Sequence, residues 1–185
     1  MYGIIKESNR YIVVSNKIYE SVICDYFITK DDETHTHVSG VLQQDVVRDG
    51  KFDMELCLRK FSEHYAEIYN KFDIDFLERH GRLLFLSYLK PLINGQGFYH
   101  IESQLTNSRR MDIVVDFGSQ QFIVELKLWR GPKYQSEAYT QLNEYLESKH
   151  ANEGYLLTFD FRKRDKTCKA GWIVVNGKRI FDVLV

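Results

Sequence analysis

The stretch that decides the fold is Arg110-Met-Asp-Ile-Val-Val-Asp-Phe-Gly-Ser-Gln-Gln-Phe-Ile-Val-Glu-Leu-Lys127. Two β-rich runs flank Gly118-Ser119, and glycine at the first central position suits a two-residue hairpin loop. Facing residues then have numbers that sum to 237, which sets Phe117 opposite Gln120 and Asp112 opposite Glu125. Because side chains alternate along a strand, one face of this hairpin carries Ile113, Val115, Phe117, Phe122, Val124, Leu126 and Leu128. The other face carries Asp112, Glu125 and Lys127. Two carboxylates facing each other across a sheet repel. A hard divalent cation supplies a reason for the arrangement, since Mg²⁺ is held by one or two carboxylates plus water and substrate phosphate. Lys127 points the same way and suits charge on a phosphate, or the orientation and deprotonation of an attacking water. The plainer alternative is a solvated sheet face with a Glu–Lys pair and an unrelated aspartate.

Working outward, strands are expected over residues 98–104, 111–117 and 121–128. Gly131-Pro132 then opens a helix over about 134–150, and a strand over 155–161 follows. Strand, helix, strand in succession implies a crossover that makes 155–161 parallel to 121–128. The tail, 171–185, reads as a hairpin turning at Asn176-Gly177, a strong type I′ signal. Upstream, Met54, Leu58, Phe61, Tyr65 and Ile68 recur at helical spacing within 52–72. A second helix over 77–89 is expected to end at Pro91 and Asn94-Gly95. Residues 3–28 mix short β-rich runs, such as Tyr11–Val14, with a helix-like stretch over 18–27. Residues 29–50 read as a polar loop in which His35 and His37 are solvated rather than metal ligands. The fold class is α/β, a mixed sheet flanked by helices. A mainly helical N-terminal extension over residues 1–76 precedes the domain at 77–185.

The chain has 185 residues, 44% of them hydrophobic and 14% aromatic, enough for a real core and too apolar for wholesale disorder. Its 25 Lys and Arg against 26 Asp and Glu argue against a polybasic coat that grips phosphate everywhere. The halves differ, however. Met1 to Ile93 holds 12 basic and 15 acidic residues, whereas Asn94 to Val185 holds 13 basic and 11 acidic. The mildly basic half contains the hairpin, so binding to nucleic acid is expected to be weak and salt-sensitive. No apolar run approaches the roughly 20 residues of a membrane span, and no signal-peptide pattern opens the chain. Cys24, Cys57 and Cys168 are odd in number, without paired metal spacing, and read as reduced thiols of a cytoplasmic protein.

Asp112 followed by Glu125-x-Lys127 on the next strand resembles the PD-(D/E)xK nuclease superfamily, whose fold is the restriction-endonuclease-like core. Gln141-Leu-Asn-Glu-Tyr145 on the following helix matches the Q-x-x-x-Y motif of its RecB-type members, and the i, i+4 spacing puts both side chains on one helix face. A narrower set recurs: His80-Gly-Arg-Leu-Leu-Phe-Leu, Lys90-Pro-Leu-Ile-Asn-Gly95, Tyr99-His-Ile-Glu102, Ile123-Val-Glu-Leu-Lys-Leu-Trp129 and Gly154-Tyr-Leu-Leu-Thr-Phe-Asp160. Together they look like the C-terminal nuclease-like domain of bacterial AAA-like ATPase proteins, over roughly residue 77 onward. The resemblance implies a Mg²⁺- or Mn²⁺-dependent nuclease acting on DNA. Asp112, Glu125 and the backbone carbonyl of Leu126 would bind metal, with Lys127 at the attacking water and Gln141 and Tyr145 shaping the site.

An additional acid is expected, and two candidates compete. Glu102 fits the Y-x-I-E pattern and, with a loop centred on Asn107, faces Asp112. Glu78 heads the preceding helix, the more usual superfamily position. The chain has no G-x-x-x-x-G-K-[ST] phosphate loop, so an ATPase portion enters only as the partner that the resemblance implies. Replacing Lys127 with Ala is expected to abolish cleavage and leave the fold intact. Arg109, Arg110, Trp129, Arg130, Arg162, Lys163 and Arg164 are the candidates for nucleic-acid contact, by phosphate pairing or base stacking. A solvated turn accounts equally for the run around Arg162, Lys163 and Arg164.

Overall fold

A computed structural model describes residues 5–8, 11–14, 43–68, 78–101, 113–162 and 169–185. Strands β1 (Ile5–Ser8) and β2 (Tyr11–Val14) form an antiparallel pair of their own. Two-residue strands β3 (Val47–Arg48) and β4 (Lys51–Phe52) pair next, and helices α1 (Met54–Ile68) and α2 (Glu78–Ile93) follow. The rest is β5 (Gly97–His100), β6 (Ile113–Phe117), β7 (Gln120–Leu128), α3 (Pro132–Ser148), β8 (Glu153–Phe159), β9 (Lys169–Val175) and β10 (Lys178–Leu184).

Six of these strands form one mixed sheet in the order β5-β6-β7-β8-β10-β9. The β7–β8 and β8–β10 pairs are parallel, and the rest are antiparallel. The β6–β7 pairing has the expected register: Phe117 faces Gln120 and Ile113 faces Val124. Gly118 takes φ +57 in the connecting turn, a region that glycine enters without a Cβ penalty. The β9–β10 turn at Asn176 (φ 48) and Gly177 (φ 81) has both central residues at positive φ, as a type I′ turn requires.

Helices cover both faces. Ile113, Val115, Phe117, Phe122, Val124 and Leu126 are all buried in one cluster with Met54, Leu58, Phe61, Phe85, Leu86 and Leu89 from α1 and α2. Ile123, Leu156 and Ile180 point the other way and are buried against Ala138, Leu142 and Leu146 of α3. Fully burying one such side chain contributes roughly 1.5–3 kcal/mol, so both layers count. Helix α1, placed by sequence in an N-terminal extension, is thus built into the same core as the sheet. Asp53 caps it, its Oδ1 accepting the Leu56 N–H at 2.9 Å. Helix α2 runs past the expected stop, with Pro91 inside its last turn. There a proline forfeits one backbone bond, to Ser87, rather than breaking the helix. Gly81 of α2 lies against the Phe159 ring; a Cβ there would come within 2.4 Å of it.

Candidate active site

Strand β7 builds the site. Alternation points Val124 and Leu126 into the α1/α2 core and leaves Ile123, Glu125 and Lys127 on the face that α3 covers. Glu125 is 0% exposed, and Lys127 Nζ lies 2.6 Å from its Oε1. The sequence placed these two on a sheet face with the plainer option of solvation; they sit instead under a helix. A carboxylate taken out of water requires a compensating positive charge, and Lys127, 23% exposed, supplies it while remaining in reach of solvent.

The neighbouring strands keep the expected registers over every described pair. The β5–β6 pairs run from Gly97 opposite Phe117 to His100 opposite Val114, the register that a loop centred on Asn107 demands. Glu102, Arg109, Arg110, Asp112, Lys163 and Arg164 lie outside the described residues. Among the described residues no three His, Cys, Asp or Glu groups come together. The chemistry of the one described donor still fits a hard divalent cation, since Glu125 offers buried carboxylate oxygens. Leu126, the expected carbonyl donor, is buried between Glu125 and Lys127 with its side chain in the opposite core. Glu78 opens α2, which packs on that opposite face.

Helix α3 lies over β8, and its two flanks differ. On a helical wheel, 100° per residue from Leu142, Tyr139 falls to one side of the apolar seam and Gln141 and Tyr145 to the other, with Gln135 inside the seam on the Tyr139 side of Leu142. Gln135 and Tyr139 reach β8 and β10 by hydrogen bonds, and Tyr139 and Tyr145 both pack against the cluster of Ile123, Leu156 and Ile180. By the same wheel the expected Gln141/Tyr145 pair falls on the flank of α3 opposite the one that meets Asp182.

The other flank holds four residues that sequence reading passed over. The Tyr139 hydroxyl donates to Asp182 Oδ2 at 2.7 Å. The Gln135 amide donates to Tyr139 Oη at 3.2 Å and Asp182 Oδ1 at 3.4 Å, and the Thr158 hydroxyl donates to Gln135 Oε1 at 3.4 Å. Thr158 is paired with Lys127 across the parallel β7–β8 ladder, and Asp182 shares a sheet row with Glu125, Leu156 standing between them. A signal was present: Gln135-x-x-x-Tyr139 repeats the spacing of Gln141-x-x-x-Tyr145 one and a half turns earlier. Burial pushes the Tyr139 hydroxyl up to about 12, aided by its bond to Asp182.

Burial also raises the Asp182 carboxyl above its ordinary range, against the lowering effect of its bonds to Tyr139 and Gln135. A raised folded-state value means that the folded chain holds this proton more tightly than the unfolded chain. The resulting stability is complete below the unfolded value and is lost as pH rises through the folded one. Asp182→Asn, whose amide oxygen still accepts from Tyr139, is therefore expected to melt above the parent at neutral pH. The gap should close near pH 3, below the carboxylate range, as thermal scans at the two pH values would read. A variant that melts lower at neutral pH would contradict this account.

Trp129 and Arg162 meet at the carboxyl end of β7 and β8. The Arg162 guanidinium stacks 4.0 Å from the Trp129 ring centroid and is forked onto Asp160. Trp129 N–H donates to Phe159 O at 2.9 Å. These two candidates are thus engaged with each other, while Arg130 is exposed in the β7–α3 connection.

The family model described as "Domain of unknown function (DUF8371)" matches residues 60–163. That span runs from α1 through β8 and includes Glu125, Lys127, both Gln/Tyr pairs and Thr158. No curated protein matches the chain.

Proposed function

We propose that this chain, which belongs to the DUF8371 family, is a metal-dependent phosphodiesterase acting on nucleic acid, with DNA as the substrate. The observation that carries the reading is the buried Glu125 with Lys127 Nζ 2.6 Å away, on the second strand of a hairpin in the expected register. The registers of the described pairs are those from which the sequence expects Asp112 opposite Glu125 and Glu102 opposite Asp112; both acids lie outside the described residues. Asp112, Glu125 and the Leu126 carbonyl would hold Mg²⁺ or Mn²⁺, with Glu102 assisting. When bound, the ion supplies Lewis acidity and lowers the pKa of water.

The chain's own residues do the rest. Lys127 leaves Glu125 to orient the attacking water and to offset charge building on the phosphate. Gln141 and Tyr145 shape the site, and Arg109, Arg110 and Arg130 offer charge to the backbone of the substrate. Trp129 and Arg162 would add to those contacts, as would Lys163 and Arg164, which lie outside the described residues. The core is of the restriction-endonuclease-like kind in this reading, the setting is the cytoplasm, and grip on DNA comes largely from an ATPase portion. Among the described residues no helix is long and apolar enough to cross a membrane.

The 2.6 Å Lys127–Glu125 contact also favours a second reading, a binding module in which the pair is closed and only structural. Incubation of single- and double-stranded DNA with Mn²⁺ separates the two. The enzyme reading expects cleavage that chelation stops, and calorimetric Mn²⁺ binding that Asp112→Asn removes. Metal binding without any cleavage would leave the binding module, and absence of both would end the metal reading.

A further inference from the structure

We infer that Gln135, Tyr139 and Asp182 are positioning residues for Lys127, acting through Thr158. The inference takes the role of Lys127 in cleavage from the reading above; its account of the Lys127 pose is independent of that role.

Among the described residues, Lys127 has as neighbours on its face of the sheet Glu125, two residues back on its own strand, and Thr158, its partner on β8. Thr158 is 0% exposed, so its side chain is a wall and not a solvated group. Gln135 holds the Thr158 hydroxyl, Tyr139 holds Gln135, and Asp182 accepts from both Tyr139 and Gln135. Every polar group of this set has a partner within it, which makes the geometry rigid. Gln135 and Tyr139 belong to the start of α3, and the short connection that follows Lys127 and Leu128 at the end of β7 leads into them.

The composition of the set argues for geometry over stability. An apolar set of the same volume would stabilise the α3–sheet layer at least as well as one containing a carboxylate. Leu142, Leu146 and Leu156 supply such packing next to it. A polar network that fixes one rotamer of Thr158 instead defines the space left for the Lys127 side chain. Misplacement of a reacting group lowers turnover steeply, whereas substrate affinity, set by the backbone contacts, is untouched.

The test uses the full chain with Gln135→Ala, Tyr139→Phe and Thr158→Val, the last two isosteric. Each is expected to lower kcat for Mn²⁺-dependent DNA cleavage about tenfold, the loss of one neutral hydrogen bond, with KM changed by less than about twofold. Gln135→Ala combined with Thr158→Val should cost no more than either alone, because they break one chain of contacts. A second readout needs no cleavage: the ε-carbon NMR signal of Lys127 in chain labelled at lysine, assigned by its loss in Lys127→Met. That signal should move in all three variants and stay fixed in Glu153→Gln, at the other end of β8 from Thr158.

A Lys127 signal unmoved by all three overturns the inference, whatever happens to cleavage. A moved signal with kcat unchanged also overturns it, because positioning would then have no effect. If the parent chain cuts nothing while the signal moves, the phosphodiesterase reading fails and the control of the Lys127 pose stands. A rise in KM equal to the fall in kcat/KM would assign these residues to substrate binding and reject positioning.

Discussion

Lys127→Met is expected to lose both cleavage and stability. Removing the ammonium leaves Glu125, 0% exposed, as a buried carboxylate without its 2.6 Å partner. Breaking a buried pair from one side costs about 3–5 kcal/mol; with Lys127 itself partly exposed, about 3 kcal/mol is the expected cost. Sequence alone suggested that Lys127→Ala would leave the fold intact, and the burial of Glu125 revises that. Glu125→Gln added to Lys127→Met removes the buried charge and should restore most of the lost stability while cleavage stays roughly a thousandfold down or lower. Urea unfolding followed by circular dichroism reads the first effect and Mn²⁺-dependent cleavage the second. A Lys127→Met chain that unfolds at the parent's midpoint would show that Glu125 does not depend on Lys127. One that cuts at the parent's rate would remove Lys127 from the mechanism.

Phe61→Ala is the other large effect expected. Phe61 is 2% exposed, and its ring lies 5.2 Å from that of Phe85 and 6.3 Å from that of Phe159. Truncating a buried phenylalanine costs about 3–5 kcal/mol. The informative part is where the loss is felt. Trp172 of β9 donates its indole N–H to Glu55 of α1 at 2.7 Å, so the probe away from α1 is Trp129, at the end of β7, read in a Trp172→Phe chain. One cooperative core predicts that tryptophan fluorescence and far-ultraviolet dichroism shift together to lower denaturant. If α1 belonged to a separable extension, the fluorescence transition would stay at its parental midpoint while only part of the dichroism moved.

The hairpin was legible because three local signals agreed: the alternation of 113–117 and 120–128, the glycine at 118, and the pairing they dictate. The same held for Asn176-Gly177, where turn chemistry alone sets the register. Strand alternation could not say what lies on the second face. Val114 and Ile123 share that face with Glu125, and both are 2% exposed; they were the apolar hint that α3 covers it. Reading the face by its charges, Asp112, Glu125 and Lys127, left Glu125 on solvated ground. Helix α1 was legible as a core-packing helix within residues 1–76, but amphipathic spacing shows that a helix has an apolar side and not which element it meets. The Gln135/Tyr139 pair escaped for a related reason. Its partners Thr158 and Asp182 are far along the chain and become neighbours only when β8 and β10 pair.

The place of β10 has a consequence for how the chain is made. Lys178–Leu184 lies inside the sheet, between β8 and β9, although it is the last strand in chain order. During vectorial synthesis β7 and β8 emerge first, and until β10 arrives the outer side of β8 presents unpaired backbone groups beside a largely apolar strand. Such an open edge invites pairing with another chain, and long-range strand insertion is slow because loop closure precedes its reward. The nascent protein thus passes through a window of vulnerability that closes only when Lys178–Leu184 docks, and the same event delivers Asp182 to Tyr139. Maturation of the fold and completion of the polar set beside Lys127 are therefore one step.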